Sequence, residues 1–97
     1  MPFEFDPEKA TANKANHGID FVEAQGLWTD PDRLEVAARS DVERRSIVVG
    51  RIYETTWAAC VTYRHEKASR IISVRRARAR ERQEDERRRS SKERDSG

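Results

Sequence analysis

Three runs, Ser46–Tyr53 (SIVVGRIY), Thr56–Tyr63 (TWAACVTY) and Arg70–Val74 (RIISV), decide the fold of this 97-residue chain. Each is rich in β-branched and aromatic residues, and each is bounded by polar residues that turn the chain. Ile47 and Val49, with Ile52, mark the first run, and Trp57, Val61 and Tyr63 mark the second. Glu54-Thr55 and the stretch Arg64–Ala68 are the connections. Upstream, Leu34, Val36 and Ala38 alternate with Arg33, Glu35 and Ala37, a period of two that adds a further strand before the polar loop Ser40-Asp41-Val42-Glu43. Four strands joined by short polar links predict an antiparallel meander.

The flanks predict helices. Phe3-Glu4-Phe5 alternates as a short strand, and Asp6-Pro7-Glu8 then opens a helix. Asp6 suits the N-cap, Pro7 the first helical position, and Glu8 the positive end of the helix dipole. Gly18 suits the C-cap. A second helix starts at Asp20, with Phe21, Ala24, Leu27 and Trp28 on its buried stripe, and Asp30-Pro31-Asp32 ends it. After Arg75 the composition turns to Arg, Glu and Ala, which predicts a third helix over Ala77–Arg89. That helix has almost no apolar stripe beyond Ala77, so little core is expected under its distal end. Beyond Arg89 the chain reads as a disordered terminus. The fold class expected is α+β: a four-stranded antiparallel sheet, two N-terminal helices and a C-terminal Arg/Glu-rich helix. Residues 1–82 would form the domain, and 83–97 a charged helical extension and tail.

Composition narrows the function. Charged residues make up 39% and apolar residues 35%, so the core is thin and help from a partner subunit is plausible. Residues 1–63 hold 7 Lys/Arg against 11 Asp/Glu, a net of −4, whereas residues 64–97 hold 13 against 7, a net of +6. An acidic front and a basic back suit a basic protein on one side and a polyanion on the other. Cys60 is the lone cysteine, which excludes an internal disulfide and reads as a small core residue. The start, Met-Pro-Phe-Glu-Phe-Asp, has no signal-peptide pattern, and no apolar run spans a bilayer, so a cytoplasmic location without membrane contact is expected.

No phosphate-binding glycine loop, zinc spacing or Ser/His/Asp arrangement is readable, and the two histidines, His17 and His65, have no carboxylate cluster around them. Neither a metal site nor a cofactor is expected. What remains is a set of basic residues on and around the last strand: Arg64, Arg70, Arg75 and Arg76. Strict alternation predicts Arg70, Ile72, Val74 and Arg76 on one face and Arg75 on the other. Guanidinium groups bind phosphate oxygens bidentately, which suits RNA cleavage in which the ribose 2′-hydroxyl is the nucleophile. Trp57 or Tyr63 could stack a base. Bland readings stand beside these. Arg-rich segments are usually solvated surface, His17 lies where a helix dipole favours positive charge, and Trp28 and Trp57 are the aromatics that a small core needs.

The segments Phe3–Ala10 with Asn13, then His17-Gly18-Ile19-Asp20-Phe21-Val22-Glu23-Ala24, and finally Arg70–Ala77 with Glu81-Arg82, together resemble the BrnT toxin family in the same order. The resemblance covers about residues 3–82. It implies a RelE-like fold, ribonuclease activity that arrests translation, and neutralisation by a BrnA-type ribbon-helix-helix antitoxin. It further implies a heterotetramer of two toxins and two antitoxins, which contacts operator DNA through the antitoxin. On this resemblance His17, Arg70 and Arg76 are the catalytic candidates, and Lys9, Lys14, Arg64 and Arg75 the RNA-binding ones. Three departures from the family pattern stand out: Asn16 where Lys is usual, Asp85 where Tyr is common, and the length of the Tyr63–Ser69 turn. They keep open an alternative, an inactive module that retains only antitoxin binding and corepression.

Overall fold

The computed structural model describes residues 3–38, 44–64 and 67–95. The expected loop Ser40–Glu43 and His65 lie outside those residues. Along the chain run α1 (Pro7–His17), a 3-10 helix (Glu23–Thr29), β1 (Leu34–Ala38), β2 (Arg45–Ile52), β3 (Thr55–Arg64), β4 (Lys67–Arg76) and α2 (Ala79–Asp95). The strands form one antiparallel sheet in the order β1-β2-β3-β4, the meander that the sequence predicts.

The helix-start signals act as chemistry requires. Asp6 accepts a hydrogen bond from the Glu8 N–H at 2.9 Å, and Gly18 closes α1 with φ 83°, a left-handed conformation natural to glycine. The second helix is shorter and tighter than expected, a 3-10 helix rather than an α-helix. Its start is a reciprocal cap: Asp20 Oδ1 accepts from the Glu23 N–H (2.7 Å) while Glu23 Oε1 accepts from the Asp20 N–H (3.0 Å).

Both sheet faces carry apolar residues. On the first, Val48, Ala59, Val61, Ile71 and Val74 pack under Ala10 of α1, Ile19 and Phe21 of the following connection, and Ala24 and Leu27 of the 3-10 helix. On the second, Val49, Ala58 and Ala77 pack with Leu34 and Ile47. The alternation in β1 serves this second face, because Leu34 pairs with Val49 and Val36 with Ile47.

The strict alternation expected for β4 does not hold. Cys60 pairs with Ser73 but Val61 pairs with Ile71, so Ile72 is an extra residue, and a second register shift follows between Thr62 and Tyr63. Such a bulge reverses the facing of everything beyond it. Ile71 and Val74, three residues apart, are therefore both buried on the first face.

β4 is an edge strand, and its outward backbone groups need partners. The N-terminal segment supplies them. The Ile71 N–H donates to the Glu4 carbonyl at 3.0 Å, within a parallel bridge between Glu4 and Arg70. Further along, the buried Asn13 amide straddles Val74: Nδ2 donates to the Val74 carbonyl (2.9 Å), and Oδ1 accepts from the Val74 N–H (3.1 Å). Nδ2 also donates to the Ile19 carbonyl at 2.8 Å, so one side chain ties helix, loop and strand.

The C-terminal helix differs from expectation in extent and in anchorage. It continues past Arg89 to Asp95, through residues expected to be disordered, and crosses position 82 without a break. Its anchor is ionic rather than apolar. Asp85, 1% exposed, accepts from Arg51 Nε at 2.9 Å and from Arg89 Nε at 2.9 Å. Arg89 also reaches Asp30 Oδ2 at 2.6 Å, and Asp30 accepts from the Arg51 N–H at 2.9 Å. A carboxylate this buried is tolerable only because two guanidinium groups meet it.

Replacing Asn13 by Ala leaves three buried backbone groups without partners and should cost roughly 2–4 kcal/mol of unfolding free energy, measured by urea denaturation. Asn13→Asp should do no better, since a carboxylate offers no donor to the Val74 and Ile19 carbonyls. A loss below about 0.5 kcal/mol for both would contradict the clamp.

Candidate active site

The ties on β4 give α1 a direction. From Glu4 beside Arg70 to Asn13 at Val74, the N-terminal segment advances the same way as β4. His17 lies one helical turn past Asn13 on the same stripe, so α1 delivers it to the end of the sheet where β4 finishes at Arg76. His17 is exposed there.

Arg70 is not at that end. It pairs with Thr62, whereas Arg76 pairs with Trp57. The bulge at Ile72 puts Arg70 on the second face and Arg76 on the first, and six residues of strand separate them by roughly 20 Å. The expected guanidinium pair along one rim is therefore not formed. Arg75 is committed elsewhere: its two terminal nitrogens grip the Glu81 carboxylate at 2.7 and 3.0 Å. Lys14 is paired with Glu23 at 2.7 Å on an exposed surface. Lys9 is exposed on α1, five residues and so about 140° around the helix from Lys14. Arg64 ends β3 opposite Lys67, far along the sheet from Arg76; its side chain lies outside those described.

Two other arginines, Arg51 and Arg82, lie near Arg76 instead of Arg70. A cleft of about 500 Å³ at the Arg76 end is lined by Arg51, Arg76 and Arg82, with Thr55, Thr56, Glu54 and Glu86. Arg82 is steadied by donating from Nη1 to the Ala77 carbonyl at 2.6 Å, and Arg51 by its Nε bond to Asp85. Beside this cleft runs a second groove of mixed character, where Ile19, Ile52, Tyr53 and Trp57 are joined by Glu23 and Thr29. Arg51 and Thr55 border both. Between them stands Trp57, its ring 5.9 Å from the Arg76 guanidinium carbon. That contact is a cation–π pairing which orients Arg76 while leaving its N–H donors available.

The cleft holds Arg76 from the expected set, with Trp57 against it, and adds Arg51, Arg82, Glu54 and Glu86; His17, next to Gly18 of the second groove, lines neither. Strand alternation and hairpin position could have pointed to Arg51 and Glu54. Arg82 stands in the Glu81-Arg82 motif without a role, and Glu86 has no signal, because their placement depends on the turn at Ala77-Arg78 between β4 and α2. Chemically, three guanidinium groups, two threonine hydroxyls and two carboxylates can bind a phosphodiester and move a proton near it. Among the described residues, no group of three or more His, Cys, Asp or Glu is placed to hold a metal ion, and no helix is long and apolar enough to cross a membrane.

Comparison with known proteins agrees with this architecture. Residues 5–81 match the family of the ribonuclease toxin BrnT of type II toxin-antitoxin systems, and the chain belongs to that family. A solved structure, the Brucella abortus ribonuclease toxin BrnT, superposes with a TM-score of 0.60 at 21% identity, covering 80% of this chain and 97% of that one. At that identity the likeness speaks for the fold. No curated protein matches.

The ion pairs behind the site set its pH dependence. Burial alone would raise the Asp30 carboxyl, but the Arg89 guanidinium and the N–H groups of Arg51 and Asp32 together hold it below its ordinary value. The Arg75 guanidinium likewise holds Glu81 below the usual range, against partial burial. Carboxyls lowered on folding stabilise the native state above their unfolded values near 4, and this stability is lost as pH falls through the lowered folded values. Thermal unfolding should therefore give a plateau above about pH 5 and a fall in Tm on further acidification. Asp30→Asn should lower the plateau and flatten the fall; a Tm that holds or rises between pH 5 and pH 2 would contradict this.

Proposed function

We propose that this chain cleaves RNA without a metal ion, using the substrate's own 2′-hydroxyl, and so arrests translation until an antitoxin of the BrnA type covers it. The observation that carries this reading is the convergence of Arg51, Arg76 and Arg82 in one cleft beside the end of β4.

The reaction divides among these groups. The 2′-oxygen attacks the adjacent phosphorus, the bond from phosphorus to the 5′-oxygen breaks, and a 2′,3′-cyclic phosphate and a 5′-hydroxyl are released. Charge builds on the non-bridging oxygens as the pentavalent arrangement forms. Arg76, with Arg82 and Arg51, donates to those oxygens and stabilises that charge. His17 serves as proton-transfer group, and Glu54 or Glu86, in the same cleft, can take the complementary part. Lys9 steers the polyanion toward the cleft. Arg70 and Arg64 contact RNA, if at all, away from the scissile phosphate, and Arg75 holds the start of α2 through Glu81.

An antitoxin partner follows from the family, which is that of type II toxin-antitoxin systems. A ribbon-helix-helix antitoxin, a two-plus-two complex, indirect contact with operator DNA, kinship with RelE-like ribonucleases and a cytoplasmic setting belong to the same reading. The acidic balance of residues 1–63 suits a basic antitoxin segment.

Purified protein incubated with single-stranded RNA in EDTA should yield cyclic-phosphate ends and leave the matching DNA intact. Arg76→Ala should reduce the rate by roughly 100-fold or more, the usual loss when a charge-stabilising donor is removed. Arg70→Ala should stay within a few-fold of the parent. Equal losses for the two variants would overturn the site assignment. A folded parent with no activity would instead favour the antitoxin-binding module.

A further inference from the structure

We infer that Tyr53 is the base-recognition residue of this site: its ring stacks on an unpaired nucleobase next to the phosphodiester held by the arginine cleft. The inference rests on the ribonuclease reading above and assigns it a residue that selects unpaired over paired strands.

Tyr53 is unusual on two independent counts. It occupies, with Glu54, a two-residue connection between β2 and β3, where Ile52 pairs with Thr55. There it takes φ 55°, alone in left-handed conformation among the described non-glycine residues. Hairpin connections of this length favour Gly, Asn or Asp at such positions, because a bulky side chain is strained there. A tyrosine is the wrong residue for the turn as a turn.

Nor does the ring repay that strain by packing. Tyr53 is 98% exposed. The chain has seven aromatic residues, and the other six have partners. Phe3 meets Trp28 with ring centroids 4.5 Å apart, and Phe5 meets Phe21 edge-on at 5.8 Å. Trp57, 8% exposed, lies under Arg76, and the half-buried Tyr63 under Arg44. The two residues expected to stack a base, Trp57 and Tyr63, are thus already engaged. Tyr63 also lies toward the far end of β3, away from Arg76.

Position supplies the ligand class. Tyr53 borders the second groove, while the neighbouring Arg51 and Thr55 border both that groove and the arginine cleft. A nucleotide whose phosphate lies among Arg51, Arg76 and Arg82 has its base within reach of the hairpin tip. Every base has a flat face, so an exposed ring at the lip of a phosphate cleft binds single strands, in which bases are unpaired.

The test uses the full chain and a 2′-O-methyl oligoadenylate, which cannot be cleaved. Tyr53→Phe should bind within about twofold of the parent. Tyr53→Gly should bind roughly tenfold or more weakly, the value of one aromatic–base stack, while its Tm is unchanged or higher because the turn is relieved. Scanning an abasic nucleotide along the oligomer should find one position at which the parent and Tyr53→Gly bind alike. Equal affinity of Tyr53→Gly and the parent overturns the inference. So does a loss in Tyr53→Phe as large as in Tyr53→Gly, which would assign the effect to the hydroxyl. A parent that neither binds the oligomer nor cleaves RNA overturns the ribonuclease reading, and this inference with it.

Discussion

Val74 is an edge residue whose N–H and C=O point away from the sheet, and one carboxamide, that of Asn13, meets both of them. Together with the Glu4 carbonyl at Ile71, that contact covers the edge of β4 and lays α1 alongside it. The consequence for function is positional. α1 has a weakly apolar stripe, with only Ala10 and Asn13 buried, so hydrophobic packing alone leaves its rotation and its slide along the strand poorly determined. The amide bonds determine both. They also decide that His17 and Gly18 reach the end of the sheet where Arg76 and the β2–β3 hairpin lie.

Charge in this chain is plentiful and mostly spent on structure. Arg75 is gripped by Glu81, and Arg89 is shared among Asp30, Asp32 and Asp85. Asp85, a departure from the family pattern when seen as sequence, is among the most deeply buried residues and links α2 to β2 through Arg51. The same bond holds Arg51 at the boundary of the two clefts. The ionic anchor of α2 and the arginine cleft are therefore one construction. A mutation that loosens the helix should also disturb the cleft.

The strands, their antiparallel order, the Asp6 and Gly18 caps and the absence of a disulfide were all legible, because period-two patterning and capping chemistry are local. The errors arose where local rules meet tertiary context. One extra residue at Ile72 puts Arg70 and Arg76 on opposite faces, and strict alternation does not reveal a bulge. The apparent lack of an anchor under α2 came from counting apolar residues when the anchor is a buried carboxylate. In the sequence Tyr53 reads only as a strand end. Its importance rests on a backbone angle and an exposure that no residue pattern carries. His17 was found correctly as a helix-end residue, but only the Asn13 clamp says which end of the sheet it meets.

Titration of the ¹⁵N-labelled protein with an uncleavable single-stranded RNA, followed by amide chemical shifts, tests most directly where the substrate lies. The account requires shifts to concentrate at Gly18, Ile19, Arg51–Thr56 and Arg76-Ala77, with Thr62 and Arg70 little changed. Shifts centred on Thr62 and Arg70, with the Arg76 end silent, would contradict it.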